Sequence, residues 1–434
     1  MEWWLVGTLV FVLLFGLLAT GIPIGFVFGI TAVVVGYLDW GDAGLAKVAA
    51  TSYGTTAHFL LIALPLFVFM GELMAYGGVT KAAFESFEKW IGRLPGGLAI
   101  SSLFTCTVFA AVTGFSPAAT ALIGTVTVPE MLKRGYSPRL ATGTVAAGSA
   151  LAILIPPGIL MIMYAYIAEV SVAKMFIGGI IPGLMIAFIF MVYVYLRVRL
   201  NPSLAPLSEK RFTWREKAAS FPKLLPVLLI IGFVLGSIYF GIGTPTEAGA
   251  LGSLGALALG LAARQLGWRN FVDVLRATVR ITSMVFLILI GATVISQILA
   301  FSGFTEHVAG FIIGMPVPSW VVIIAIMVVL TGLGMFMDAA SILFITGPIF
   351  VPVVVGLGFN PVWYGILFVI NMELANITPP IGLNLFVMKG IAPPEVTMGD
   401  IIAGCMPFWG LYWLAMVLVI IFPVIILWLP SLMS

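Results

Sequence analysis

Long apolar runs, punctuated by Gly, Pro and short charged segments, dominate this 434-residue chain. They fall at about 3–20, 23–39, 57–76, 97–131, 140–167, 175–199, 223–242, 245–263, 281–300, 319–355, 362–388 and 402–429. Most match the ~20 residues that a membrane-spanning helix needs. Two are too long for one helix. The run 97–131 is interrupted at Gly114-Phe115-Ser116-Pro117 and the run 319–355 at Gly332-Leu333-Gly334. Their arms are nearer ~15 residues, which predicts two re-entrant hairpins rather than two pairs of full spans. The pattern predicts an all-α polytopic membrane protein. No basic residue precedes the first run, so it is expected to be a retained span and not a cleaved signal.

Composition sharpens this. The chain is 62% apolar and 9% charged, against ~45–50% and ~25% in soluble proteins, which excludes a soluble enzyme. A net charge of +3 without a basic, aromatic-interleaved stretch leaves no electrostatic footprint for nucleic acid. Cys106 and Cys405 stand alone in apolar runs, where they read as small core residues.

Charge sets the orientation. With each hairpin entering and leaving on one side, 18 of the 20 Lys and Arg residues, including the cluster Arg197, Arg199, Lys210, Arg211, Arg215, Lys217 and Lys223, fall on one face, leaving Lys47 and Lys174 on the other. The basic face is expected to be cytoplasmic, with both termini outside and ten full crossings. The first hairpin then opens to the cytoplasm and the second to the exterior.

Shifting the chain by 223 residues pairs Gly124 with Gly347, Pro129 with Pro352, Gly135 with Gly358, Pro138 with Pro361, and Pro156-Pro157 with Pro379-Pro380. Composition alone predicts about 0.5 such Gly and Pro identities over this window, so the halves read as homologous repeats. With small shifts, Gly78-Val79-Thr80 also pairs with Gly303-Phe304-Thr305. The loop after Pro129 is basic (Lys133, Arg134, Arg139) and its partner at 356–361 carries no charge, so the repeats are expected to be inverted. The expected organisation is a first repeat 1–200, a cytoplasmic linker 201–222 and a second repeat 223–434. Inverted repeats point to alternating-access carriers whose sites lie at broken helices near the midplane.

Four breaks are expected to converge: the tips at 114–117 and 334–341, and the interrupted spans at Ile155-Pro156-Pro157-Gly158 and Thr378-Pro379-Pro380-Ile381. Proline there frees upstream carbonyls, which a hard cation such as Na+ can satisfy. Side-chain candidates are Ser116, Ser149, Asp338, Ser341, Asn371 and Thr378, with backbone at Gly114, Ile155 and Gly334. Asp338 is either an ion or gating carboxylate or the cap of a helix starting near Ala339. Glu373 either supports the second break or touches the ion, and Glu247 in Thr244-Pro245-Thr246-Glu247 reads as a helix start. No Lys or Arg lies at the midplane, so an anionic solute would be held by helix N-termini near Ala118, Pro157 and Ala339 and by the amides of Asn371 and Asn384. His58 and His307 stand near span ends, where an interfacial role outranks proton relay.

The stretches Gly243-Thr-Pro-Thr-Glu247-Ala, Pro129-Glu-Met131 with Gly135-Tyr136, Ile155-Pro-Pro157, Gly334-Met-Phe-Met-Asp338, and Asn371-Met-Glu373 through Ile377-Thr-Pro-Pro-Ile-Gly-Leu-Asn384-Leu-Phe to Pro393 resemble the large membrane subunit of a tripartite ATP-independent periplasmic (TRAP) transporter. The resemblance implies a Na+-coupled elevator carrier in a bacterial or archaeal cytoplasmic membrane. It implies import of organic acids delivered by a periplasmic binding protein, and assembly with a separate small membrane subunit of about four helices. No cofactor beyond Na+ as coupling ion is expected, and no enzymatic activity. It also implies sodium sites at the tips and broken helices, carried here onto Ser116, Asp338, Thr378 and nearby backbone. One departure is plain: the family's first tip often reads Gly-Ser-Ser, whereas Phe115 and Pro117 here flank a single serine. Two rival readings are a stand-alone Na+- or H+-coupled dicarboxylate carrier and an intramembrane hydrolase using Ser116. The second lacks a G-x-S-x-G elbow.

Overall fold

The structure is a computed structural model that describes residues 2–76, 79–207, 212–264 and 266–433; Gly78, Lys210 and Arg211 lie outside them. All regular elements among the described residues are helices. Val172–Leu200, Trp268–Phe301, Ala339–Gly356 and Met398–Ile421 are each long and apolar enough to cross a bilayer.

Each expected run contains helix, and the breaks fall where Pro and Gly place them. The first hairpin is Gly97–Thr113 and Ser116–Lys133, the second Ser319–Gly334 and Ala339–Gly356. The run 140–167 divides into Pro138–Ala150, a short 3-10 turn at Leu151–Ile153, and Ile159–Ile167; the run 362–388 divides into Pro361–Asn376 and Leu383–Ile391. Helices start at 116 and 339 and at 138 and 361, and the cis bonds Pro156–Pro157 and Pro379–Pro380 keep the same spacing of 223.

Some helices fall outside the apolar runs: Asp42–Thr56, Val79–Ile91, Phe304–Ile313 and Trp214–Ser220. Val79–Ile91 shows why. Ala83, Phe84 and Ser86 are buried while Glu85 and Lys89 are only half-buried, an amphipathic pattern that a search for continuous apolar runs passes over. Trp268–Phe301 begins well before its apolar run and carries Arg269, Asp273, Arg276 and Arg280 in its first turns.

The two broken spans form the centre of the molecule. Leu140–Ala150 and Val362–Asn376 are buried at every position. Hydrophobic burial drives little in lipid, so close backbone approach and interhelical bonds hold such helices together. A Cβ on Gly143 would stand 2.2 Å from the Gly404 carbonyl, and one on Gly404 2.1 Å from the Arg139 carbonyl. The hairpins, Val172–Leu200 and Met398–Ile421 enclose this centre. Outside it, Trp268–Phe301 packs along Ile24–Trp40, Ala63–Tyr76 and Asp42–Thr56. With Trp3–Ala19 beside Ile24–Trp40, this outer layer presents apolar side chains such as Val12, Phe15, Phe26 and Val33 to its surroundings.

Candidate functional site at the two hairpin tips

The first tip turns at Gly114, which has φ +58°, followed by extended Phe115. Only glycine serves at Gly114, since a Cβ would lie 2.5 Å from the Pro157 carbonyl. The Gly114 carbonyl accepts a bond from Ile159 N (3.4 Å), just past the first pair of prolines. The second tip has the matching tie, with Ile381 N donating to the Met335 carbonyl (3.2 Å). Each tip is thereby pinned to the Pro-Pro break in its own half of the chain.

The two tips differ at the helix that follows. Asp338 caps Ala339–Gly356: Oδ2 accepts from Ala340 N (3.0 Å) and Ser341 N (3.2 Å), and the Ser341 hydroxyl donates to Oδ1. No side chain caps Ser116–Lys133, and Pro occupies its first turn. Ser116 is instead tied sideways. Its Oγ accepts from Asn384 Nδ2 (2.7 Å), which also donates to the Ala146 carbonyl (3.0 Å).

Both tips face one small central cavity of about 80 Å³, whose polar lining is Ser116, Asp338 and Asn376. Asn376 is only 7% exposed, and its amide finds no hydrogen-bond partner among the described residues. Ile281, Met284, Val285 and Ile288 of Trp268–Phe301 close the opposite wall. Toward the Lys/Arg-rich end the cavity adjoins a second one of about 360 Å³ that shares Phe115, Ile159 and Ile281 and is lined by Glu72, Thr113 and Ala118. A third, of about 550 Å³, lies toward the other end between His58, Tyr166, Glu169 and Gln297.

Gly114, Ser116 and Asp338 thus meet at the central cavity, and Ala118 lines the adjoining one. Ser341 lies behind Asp338, and Gly334 is packed against Ala375, whose Cβ would be 2.3 Å from a Cβ at 334. The Thr378 hydroxyl donates back to the Leu374 carbonyl (2.7 Å), which leaves its lone pairs free to accept or coordinate. Ser149 lies 3.6 Å from Cys106 Sγ in the core, and Ile155 packs over Gly183. Pro157 reaches the first tip through its carbonyl. Asn371 and Asn384 are fully buried and do not line the cavity; Asn371 Nδ2 bonds the Met327 carbonyl (2.8 Å) and Thr331 (3.0 Å). Glu373 is fully buried with the Tyr412 side chain and the Leu154 backbone beside its carboxyl, whose oxygens meet no partner at full hydrogen-bond geometry among the described residues. Glu247 forms a capping box with Thr244, accepting from its backbone N–H (2.7 Å) and its hydroxyl (2.9 Å). Asn376 was not among the expected site residues. Its signal is a polar side chain two positions before Thr378, at the end of a buried helix.

Residues 11–425 match the family described as the DctM component of tripartite ATP-independent periplasmic transporters. The chain belongs to the DctM family. Among DctM-type relatives, a C4-dicarboxylate TRAP transporter large permease protein of Vibrio cholerae is 32% identical over 98% of this chain and 97% of its own. One of the same description from Pseudomonas aeruginosa is 33% identical over 89% of each. An ectoine/5-hydroxyectoine TRAP large permease of Ruegeria pomeroyi is 32% identical over 86% of each. The fold resembles that of the YdaH transporter of Alcanivorax borkumensis, with TM-score 0.65 and 17% identity, covering 88% of this chain and 89% of that one.

Proposed function

We propose that this DctM-family chain imports an organic acid across the bacterial inner membrane by Na+-coupled secondary transport. The acid is handed over by a periplasmic binding protein, and a separate small membrane subunit of about four helices completes the carrier. The observation that carries the reading is the meeting of two pinned hairpin tips at one central cavity without a cationic side chain among its described lining residues. Such a site holds an anion by helix N-termini and amides, here Ser116–Lys133 and Asn376. It suits a hard cation at uncharged oxygens and Asp338 rather than a proton relay. The opposing wall offers only apolar side chains, which lets the tips slide past it as a unit in an elevator motion. The 223-residue correspondence of helix starts supports an inverted repeat, and the basic face supports both termini outside.

Reconstitution with the small subunit and the binding protein tests this. Uptake is expected only with an inward Na+ gradient and only with the binding protein. Equal uptake in K+ or choline, driven by a pH gradient alone, would remove the sodium coupling. Full uptake without the binding protein would instead favour a stand-alone dicarboxylate carrier.

A further inference from the structure

Resting on that reading, the lining of the central cavity names the class of acid. One side of the cavity is polar. The uncapped start of Ser116–Lys133 and the unpartnered amide of Asn376 are the groups there with free donors. The Ser116 hydroxyl is engaged by Asn384. The rest is apolar: Phe115, Ile159, Leu160 and Met163 on the hairpin side, and Met284 and Ile288 among the residues opposite.

We propose that the solute carried here is a monocarboxylate with a compact apolar body, and that C4-dicarboxylates are excluded. One carboxylate is satisfied by the Ser116 N–H and the Asn376 amide; Pro117 has no N–H to offer, and Ala118 faces the adjoining cavity. A second carboxylate, a few bonds away, would meet either the apolar wall or Asp338. Both Asp338 oxygens already accept bonds from residues 340 and 341, and its charge repels another anion. An ionised group left without donors in such a place is costly, whereas a branched alkyl group fits the wall. Phe115 stands where a smaller polar residue would open the first tip, so it narrows the choice further.

Thiol protection tests the class directly. Cys106 and Cys405 are fully buried, so Met284→Cys, with Ile288→Cys as a second position, places a single reactive thiol on the cavity wall. The full chain with its small subunit, in liposomes with Na+, is exposed to a methanethiosulfonate reagent in the presence of 4-methyl-2-oxopentanoate, succinate or fumarate. Several-fold slower modification with 4-methyl-2-oxopentanoate and unchanged modification with the dicarboxylates is the expected result. Equal or better protection by succinate overturns the proposal and leaves the organic-acid reading standing. No protection by any acid at either position removes the solute from this cavity and overturns both. In Phe115→Ser, succinate is expected to gain protection relative to 4-methyl-2-oxopentanoate. An unchanged ratio in that variant means that the tip does not select, and counts against the proposal.

Discussion

The two halves build the same hairpin and the same broken span, yet they close them by different means. In the second half the helix starts are capped locally. Asp338 caps Ala339–Gly356, and Asn360 caps Pro361–Asn376 by accepting from Val362 N (2.8 Å) and Trp363 N (3.4 Å). In the first half the corresponding starts, Ser116–Lys133 and Pro138–Ala150, have no side-chain cap. They are held by partners far along the chain: Ser116 by Asn384, Arg139 by Asp400, and Ser137 N by the Leu204 carbonyl. A locally capped tip has its N–H groups already engaged, while an uncapped one keeps them for a ligand. On the proposed function, the asymmetry favours the first tip for the anion and leaves the Asp338 carboxylate at the second.

The sharpest break of this comparison is at the turns themselves. Gly114→Ala combines a positive φ with a Cβ 2.5 Å from the Pro157 carbonyl, and is expected to destabilise by about 3 kcal/mol and to abolish uptake. Met337, the matching position of the second half, is half-buried, and its truncation to Ala is expected to cost only about 1 kcal/mol. Thermal melts of the two purified variants decide this. Equal losses would mean that the first turn is not uniquely constrained.

Next is the long-range tie. Ser116→Ala leaves fully buried Asn384 short of a partner, at an expected cost of about 2 kcal/mol. Asn376→Ala removes an amide that makes no bond to the protein, so stability is expected to hold within about 0.5 kcal/mol while uptake falls. Melts together with Na+-driven uptake separate the two. A stability loss at Asn376 as large as at Ser116 would make Asn376 a structural group.

The legibility of these features follows the same divide. Asp338 before an apolar run, the four-residue box at Thr244 and Glu247, and the paired prolines were readable because each signal is contained within a few neighbouring residues. The link from Ser116 to Asn384 spans 268 positions. The free amide of Asn376 is defined only by what fails to approach it, so neither could be read along the chain. Helix existence followed apolar runs well, and the amphipathic helices were missed because their apolar residues recur on one face instead of continuously.

A smaller effect is expected at the second tip. Asp338→Ala loses the cap, about 1 kcal/mol, whereas Asp338→Asn keeps the cap shape and costs only a few tenths. With the proposed Na+ coupling, uptake should nevertheless fall about tenfold in Asp338→Asn, ~1.4 kcal/mol in the transport barrier, because the carboxylate charge available to the cation is gone. Wild-type uptake and sodium dependence in this variant would reduce Asp338 to a cap.

The smallest effect lies at the far ends of the broken spans, where the two modes of closure differ in their response to pH. The Asp400 carboxyl is held below its usual range by the Thr397 hydroxyl and by Arg139, whose Nε lies 3.1 Å from Oδ1. A carboxylate with a lowered folded value stabilises above the ordinary aspartate range, ~3.9, and loses that contribution as pH falls through the folded value. Arg139 is solvent-exposed and Asp400 only partly buried, so the contribution is slight and is screened by salt. Asp400→Asn is therefore expected to melt slightly below wild type at neutral pH and low salt, with the gap closing as pH falls below about 4. Asn360 has no charge to lose. Asn360→Ala is expected to cost about 1 kcal/mol at both pH values. A gap for Asp400→Asn that persists in acid would show that the first broken span is held there by packing and not by charge, and would erase the distinction between the two ends.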